Sequence, residues 1–272
     1  MQPSLRTILF VPGNRPERYL KALGVGADAV IIDLEDAVEA DAKEEARKHI
    51  AQFASEQPDA RFLVRSNAAD TAWFEGDMAL CHAHANIIGV VLPKAESAVQ
   101  VARVRELAGK PVLPIIESAE GVLRLEEIAR AEGVDRLAFG YLDLMLDTGT
   151  RPDTAGARLL LDHIRCRILL CSAAAGINPP LDGVHPDFRD TETLSAIATQ
   201  VRDMGFAGLM CIHPTQVATV HAAYAPSAAE CEWAQRVIDE FERTGSAAFQ
   251  LDGKMVDMPV IERARRILAS VV

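Results

Sequence analysis

No two of the five cysteines (Cys81, Cys166, Cys171, Cys211 and Cys231) stand at CxxC spacing, and an odd number cannot pair completely. A disulfide framework and a CxxC metal or redox site are therefore excluded, and free thiols in a reducing cytoplasm are expected. No apolar run approaches the roughly 20 residues that a membrane span needs. The first run, TILFV, is also too short for the core of a signal peptide, so neither feature is expected. Basic residues are the minority: 28 Lys and Arg face 39 Asp and Glu, which leaves a net charge of −11. Sequence-independent nucleic-acid binding rests on neutralising phosphates, and this chain is built against it. One anionic ligand in a local basic pocket remains open. There is no low-complexity segment, and the first turn, FVPGNRPERY, is not a GxGxxG loop.

What is present is a run of short apolar segments alternating with longer amphipathic ones. Of the 272 residues, 49% are hydrophobic, enough for one large core. Strands are predicted over 7–12, 29–35, 61–66, 86–94, 111–117, 136–143, 180–184 and 208–213. Several are apolar throughout rather than alternating, as in a parallel sheet covered on both faces. Helical patterns fall at about 15–24, 41–55, 74–84, 96–108, 119–132, 154–175, 190–204 and 214–223. Eight strand–helix units count to a (β/α)₈ TIM barrel, with a doubly wound sheet as the alternative. Asn14 is expected to cap a helix with Pro16 in its first turn. Residues 224–272 fall outside the eightfold count and form a C-terminal helical and hairpin extension to the barrel domain, 1–223. Its first helix starts at the cap Ser227 and stops at Gly245, and a hairpin about Asp252-Gly253 precedes a last helix near Pro259.

A (β/α)₈ barrel places its chemistry at the C-terminal strand ends. Read that way, one mouth collects Asp33, Glu35 and Asp36 from strand two, Arg65 and Asn67 from strand three, and Lys94, Glu117 and Asp143 from strands four to six. Asp182, His185 and His213 follow from strands seven and eight. Clustered carboxylates take up protons unless a cation compensates them. Glu117 and Asp143, on neighbouring strands, suit a shared Mg²⁺, which commonly takes one or two carboxylates and fills its shell with water and substrate. Gly140, Ser118, Ala119 and Gly121 leave room beside them. Arg65 has the fork geometry to hold a substrate carboxylate with two parallel bonds, or else to neutralise Glu35 or Asp36. His82 and His84 point apart on a helix and make no metal pair.

The motifs LFVPGNRPER (9–18), GADAVIIDLEDAV (26–38), FLVRSN (62–67), VVLPKAES (90–97), LPIIESAEGV (113–122), RLAFGYLDL (136–144), DGVHPDFRD (182–190), GFAGLMCIHPTQV (205–217) and LDGKMVDMPVIERAR (251–265) together resemble the citrate lyase β-subunit group of the HpcH/HpaI aldolase superfamily. The resemblance covers nearly the whole chain in order. It implies a TIM barrel, often trimeric, with Mg²⁺ on Glu117 and Asp143 and the keto-acid carboxylate on Arg65. It also implies that Asp257, in the VDMP segment, enters the site of a neighbouring subunit as an acid–base group, so that the extension is a lid in trans. Asp36 and Lys94 join the substrate-binding set, with Lys94, Arg15, Arg18 and Lys21 toward CoA phosphates.

The implied reaction is Mg²⁺-dependent, reversible cleavage of a 3-hydroxyacyl thioester of citramalyl-CoA or malyl-CoA type. It would give acetyl-CoA and a 2-keto acid such as pyruvate, oxaloacetate or glyoxylate. A lyase subunit acting on a carrier-protein thioester and a non-catalytic keto-acid binder are the alternatives. Ser66, Ser118, Tyr141 and Leu142 depart from common members near the substrate and leave the substrate pair open.

Overall fold

Runs that are apolar on both faces set the architecture. The computed structural model describes residues 5–270. Eight parallel strands close into a barrel in sequence order: β1 (Thr7–Pro12), β2 (Ala29–Asp33), β3 (Phe62–Arg65), β4 (Ile87–Leu92), β5 (Val112–Ile116), β6 (Ala138–Phe139), β7 (Leu181–Asp182) and β8 (Gly208–Cys211). Ile8, Ile31, Leu63, Val91, Leu113, Ala138, Leu181 and Met210, one from each strand, meet inside it. Their neighbours Leu9, Val30, Ile32, Val64 and Val90 are buried as well, which is why the runs do not alternate. The expected TIM barrel is thus the observed one.

Ten helices accompany the strands: α1 (Tyr19–Leu23), α2 (Lys43–Glu56), α3 (Phe74–Ala83), α4 (Ala98–Ala108), α5 (Ala119–Leu123), α6 (Leu125–Ala129), α7 (Tyr141–Asp147), α8 (Ala155–Ala175), α9 (Thr191–Met204) and α10 (Pro214–Tyr224). Among the described residues, no helix is long and apolar enough to cross a membrane.

Three local expectations fail for identifiable reasons. Asn14 caps nothing; its amide donates to Glu39 at 3.2 Å, and the turn at Pro16 has no side-chain cap. The single helix expected over 119–132 breaks at Arg124, whose ψ of 15° leaves the helical range. Strand six ends at Phe139 rather than at 143, because Gly140 turns the chain into α7. Asp143 therefore sits in the first turn of a helix and not on a strand. The β6 and β7 ladder is correspondingly thin, with Ala138 opposite Leu181 as its one register pair. Side chains reinforce it: Asn178 bonds Asp135, and Arg165 bonds Asp182.

The chain divides into two compact units at Ala223/Tyr224. In the second, Ser227 and Glu230 form a capping box on α11 (Ala228–Thr244), and Gly245 ends that helix with φ 63°. Strands β9 (Phe249–Leu251) and β10 (Lys254–Val256) form a hairpin whose turn residues, Asp252 and Gly253, both have positive φ. Helix α12 (Met258–Ala269) packs on α11 around Val237, Val256 and Ile261.

Candidate active site

The C-terminal end of β2 carries Asp33, whose carboxylate accepts the amides of Glu35 at 2.9 Å and Ala37 at 3.2 Å. Beyond that bend Glu35 is buried beside Arg65 and Lys94. The next strand supplies Arg65. Its Nε and Nη2 both bond Asp33 at 2.7 Å, and its Nη1 lies 2.9 Å from Glu35 and 3.4 Å from Asp36. The guanidinium also faces the Phe10 ring at 4.9 Å. Burial opposes its charge, but the three carboxylates outweigh burial and hold it protonated well above its ordinary range.

Buried supports fix this bracket. Lys43, from the first turn of α2, donates to the carbonyls of Leu34 at 2.8 Å and Glu35 at 2.9 Å and lies over Trp73. Burial lowers its affinity for the proton, against the pull of Asp33 and Asp77. Asp77 accepts the backbone amide and side-chain amide of Asn67 at 2.8 and 2.7 Å, and so pins the loop after Arg65. Lys43→Met is expected to cost about 2–4 kcal/mol in urea denaturation, since two buried carbonyls lose their donor. An unchanged midpoint would remove this role.

Across the mouth, Glu117 follows β5 and is 4% exposed. Its Oε1 accepts the amide of Lys94 at 2.6 Å. Lys94 adopts φ 49°, which turns its amide inward. A Cβ on Gly140 would lie 2.5 Å from Glu117 Oε2, so only glycine leaves that oxygen unobstructed. Burial pushes the Glu117 carboxyl up to about 8, with the charges of Glu35 and Asp143 acting the same way. Burial likewise raises Glu35.

A cavity of about 430 Å³ is lined by the charged residues Asp33, Asp36, Arg65, Glu117 and Asp143. The rest of its lining includes Phe10, Phe139, Tyr141, Val184 and Met210. A second cavity of about 330 Å³ shares Phe10, Pro12 and Ile212 with it and is lined by Arg18, Lys21 and His213.

The barrel thus brings together Arg65, Glu117, Asp143 and Asp36. The Lys94 ammonium, expected to face substrate, instead lies 2.5 Å from Glu35, and Lys94 does not line the first cavity. Glu35 is buried between Arg65 and Lys94, whereas Asp36 lines the cavity itself. Arg15 pairs with Glu17 at 2.7 Å. His213 stacks on Phe188 and bonds Thr215. Asp257 belongs to the second unit, where its Oδ1 caps α12 by accepting the Val260 amide at 3.4 Å. Lys43 and Asp77 carried no sequence signal, since nothing local shows that they fold back onto strand ends.

Glu117 and Asp143 line the same cavity, a pair of carboxylates that could hold a cation. Burial and its acidic neighbours raise Glu117, one of its oxygens faces the bare backbone at Gly140, and open cavity space adjoins it. These features fit Mg²⁺, which commonly uses one or two carboxylates.

Comparison with known proteins agrees with this geometry. The profile of the HpcH/HpaI aldolase/citrate lyase family matches residues 6–214. A citrate lyase subunit beta-like protein of Mycobacterium tuberculosis is 38% identical over 96% of this chain and 93% of its own length. A (3S)-malyl-CoA thioesterase of Cereibacter sphaeroides is 37% identical over 97% of this chain and 93% of its own. The crystal structure of CitE from Mycobacterium tuberculosis with magnesium, acetoacetate and coenzyme A superposes with a TM-score of 0.87 at 36% identity, covering 100% of this chain and 99% of that one. The chain therefore belongs to the HpcH/HpaI aldolase/citrate lyase family.

Proposed function

We propose that the protein is a Mg²⁺-dependent carbon–carbon lyase that reversibly cleaves a 3-hydroxyacyl-CoA to an acyl-CoA and a 2-keto acid. The observation that carries this is that Glu117, Asp143 and Arg65 line one cavity together with apolar side chains. The similarity to CitE with magnesium and coenzyme A supports the same reading.

Glu117 and Asp143 would hold the ion, which when bound supplies Lewis-acid polarisation of the reacting carbonyl and a template for it. Arg65 orients the substrate carboxylate. Asp36, the most exposed and most distant of its three partners at 3.4 Å, is the one that such a carboxylate replaces. Asp33 and Glu35 keep the guanidinium in place during that exchange. In cleavage the 3-hydroxyl gives up its proton and becomes the keto oxygen. The C2–C3 bond breaks, its electron pair passes to C2 as the thioester enolate, and a proton is returned there. We assign that proton to Asp257 of a neighbouring copy, with the unit after Tyr224 acting as a lid in a homotrimer. Arg18 and Lys21 at the adjoining cavity suit CoA phosphates. The five cysteines are free, which fits a cytoplasmic setting.

The test offers acetyl-CoA and propionyl-CoA with several keto acids and follows products by mass spectrometry, with Mg²⁺ or EDTA. A hydroxyacyl-CoA product that disappears with EDTA is expected. The free hydroxy acid in its place would mark thioester hydrolysis, the activity in the name of one relative. Asp257→Ala is expected to lower kcat about 10²–10⁴-fold with little change in keto-acid binding. An unchanged kcat would remove Asp257 from the chemistry.

A further inference from the structure

We infer that the cavity selects 2-keto acids carrying a single carboxylate, and that Tyr141 is the residue that sets this selection. The inference deepens the lyase reading and rests on it for the choice of ligands.

The lining of the cavity holds four carboxylates, Asp33, Asp36, Glu117 and Asp143, and one cation, Arg65. A keto acid whose carboxylate takes Arg65 leaves its remaining substituent among the rest of the lining, which includes Tyr141, Phe139, Val184 and Met210. The Tyr141 hydroxyl offers this substituent no donor, because it donates to the Val184 carbonyl at 2.7 Å. The ring is held in place from behind. A Cβ on Gly183 would lie 2.5 Å from it, so the ring rests on bare backbone.

The cation behind this wall is already matched. Arg165 stands 6.0 Å from the Tyr141 ring and 5.7 Å from Phe139. Its Nε and Nη2 bond Asp182 at 3.1 Å each, and its Nη1 bonds Asp162 at 2.9 Å. Arg65 answers three carboxylates, and the Lys94 ammonium answers Glu35. A second carboxylate on the substrate would therefore be desolvated against an aromatic ring with no uncommitted cation beside it, which a buried site rejects strongly. An uncharged substituent, a hydrogen or a short alkyl group, meets no such penalty.

The test is calorimetric binding to the full chain with saturating Mg²⁺, so that it does not depend on turnover. Glyoxylate, pyruvate, 2-ketobutyrate and freshly dissolved oxaloacetate are the ligands, with pyruvate formed by decarboxylation quantified. Pyruvate and 2-ketobutyrate are expected to bind about 100-fold more tightly than oxaloacetate. Tyr141→Lys is expected to raise oxaloacetate affinity at least about tenfold by supplying the missing cation. If that variant does not fold, Leu142→Arg, at a 40% exposed position on the same rim, is expected to act in the same direction. Tyr141→Phe is expected to keep the wild-type ratio within about threefold, because the apolar face and not the hydroxyl does the selecting. Oxaloacetate binding within about tenfold of pyruvate overturns the selection while leaving the lyase reading intact. Loss of discrimination in Tyr141→Phe overturns the role given to the ring. Binding of no keto acid at all overturns both the selection and the lyase reading.

Discussion

Glu117→Gln and Asp143→Asn are each expected to abolish measurable Mg²⁺ dependence and to lower kcat/KM for thioester cleavage about 10³-fold. Both substitutions keep side-chain volume and remove one charged oxygen pair from the cavity that Arg65 also lines. The effect should lie in metal affinity and kcat, while keto-acid affinity through Arg65 falls less. The measurement is Mg²⁺ titration by calorimetry beside steady-state kinetics. A variant that retains wild-type Mg²⁺ affinity and turnover would remove that residue from the metal set. The supports differ as well as the ligands. Glu117 is fixed by the inward amide of Lys94, whereas Asp143 depends on the turn at Gly140.

The second large effect is on stability and runs opposite to activity. In EDTA, the melting temperature is expected to fall as pH rises from about 5 to about 8, and saturating Mg²⁺ is expected to flatten that slope. The sign follows from Glu117. Burial raises its carboxyl from 4.5 to about 8 in the folded chain. Below the unfolded value both states carry the proton. Between the two values the folded state holds a proton that the unfolded state has released, so stability is lost as pH climbs through the window. At about 1.4 kcal/mol per unit, the ceiling is on the order of 5 kcal/mol. Buried Glu35, Asp77 and Asp182 are displaced in the same direction and add to the slope. Glu117→Gln should itself flatten the curve and stabilise the metal-free protein, a gain in stability at the cost of function. A melting temperature that rises between pH 5 and 8 in EDTA would contradict the argument.

Much of this was readable from the chain because burial on two faces leaves a plain mark. Runs such as VVL at 90–92 and VLPII at 112–116 have no polar alternation, and only a parallel sheet under helices accounts for eight of them. Glu117 was legible for the related reason that a carboxylate directly ending such a run has to face something. Asp143 was legible as a residue but not in its element, since the stretch RLAFGYLD at 136–143 shows no polar break at the turn that Gly140 makes. The partners of Arg65 were open in principle. Three acids stand after β2, and their sharing of one guanidinium depends on the Asp33 bend, which is a tertiary result. Lys43 looks like any solvent-facing lysine at a helix start until α2 is laid against the barrel, where it becomes 7% exposed.

The thin ladder between β6 and β7 means that the barrel is not equally stiff around its circumference. The arc from β1 to β4 has three or more register pairs at every strand junction, with one register shift at Phe62/Leu63, and carries Arg65. The arc through β6 and β7 has one register pair and leans on Arg165–Asp182 and Asn178–Asp135. Local opening takes the path with fewest backbone bonds to break. Asp143 thus follows the strand with the fewest ladder bonds to its neighbour, while Arg65 stands on the well-paired arc, so that local opening would change the distance between these two residues first.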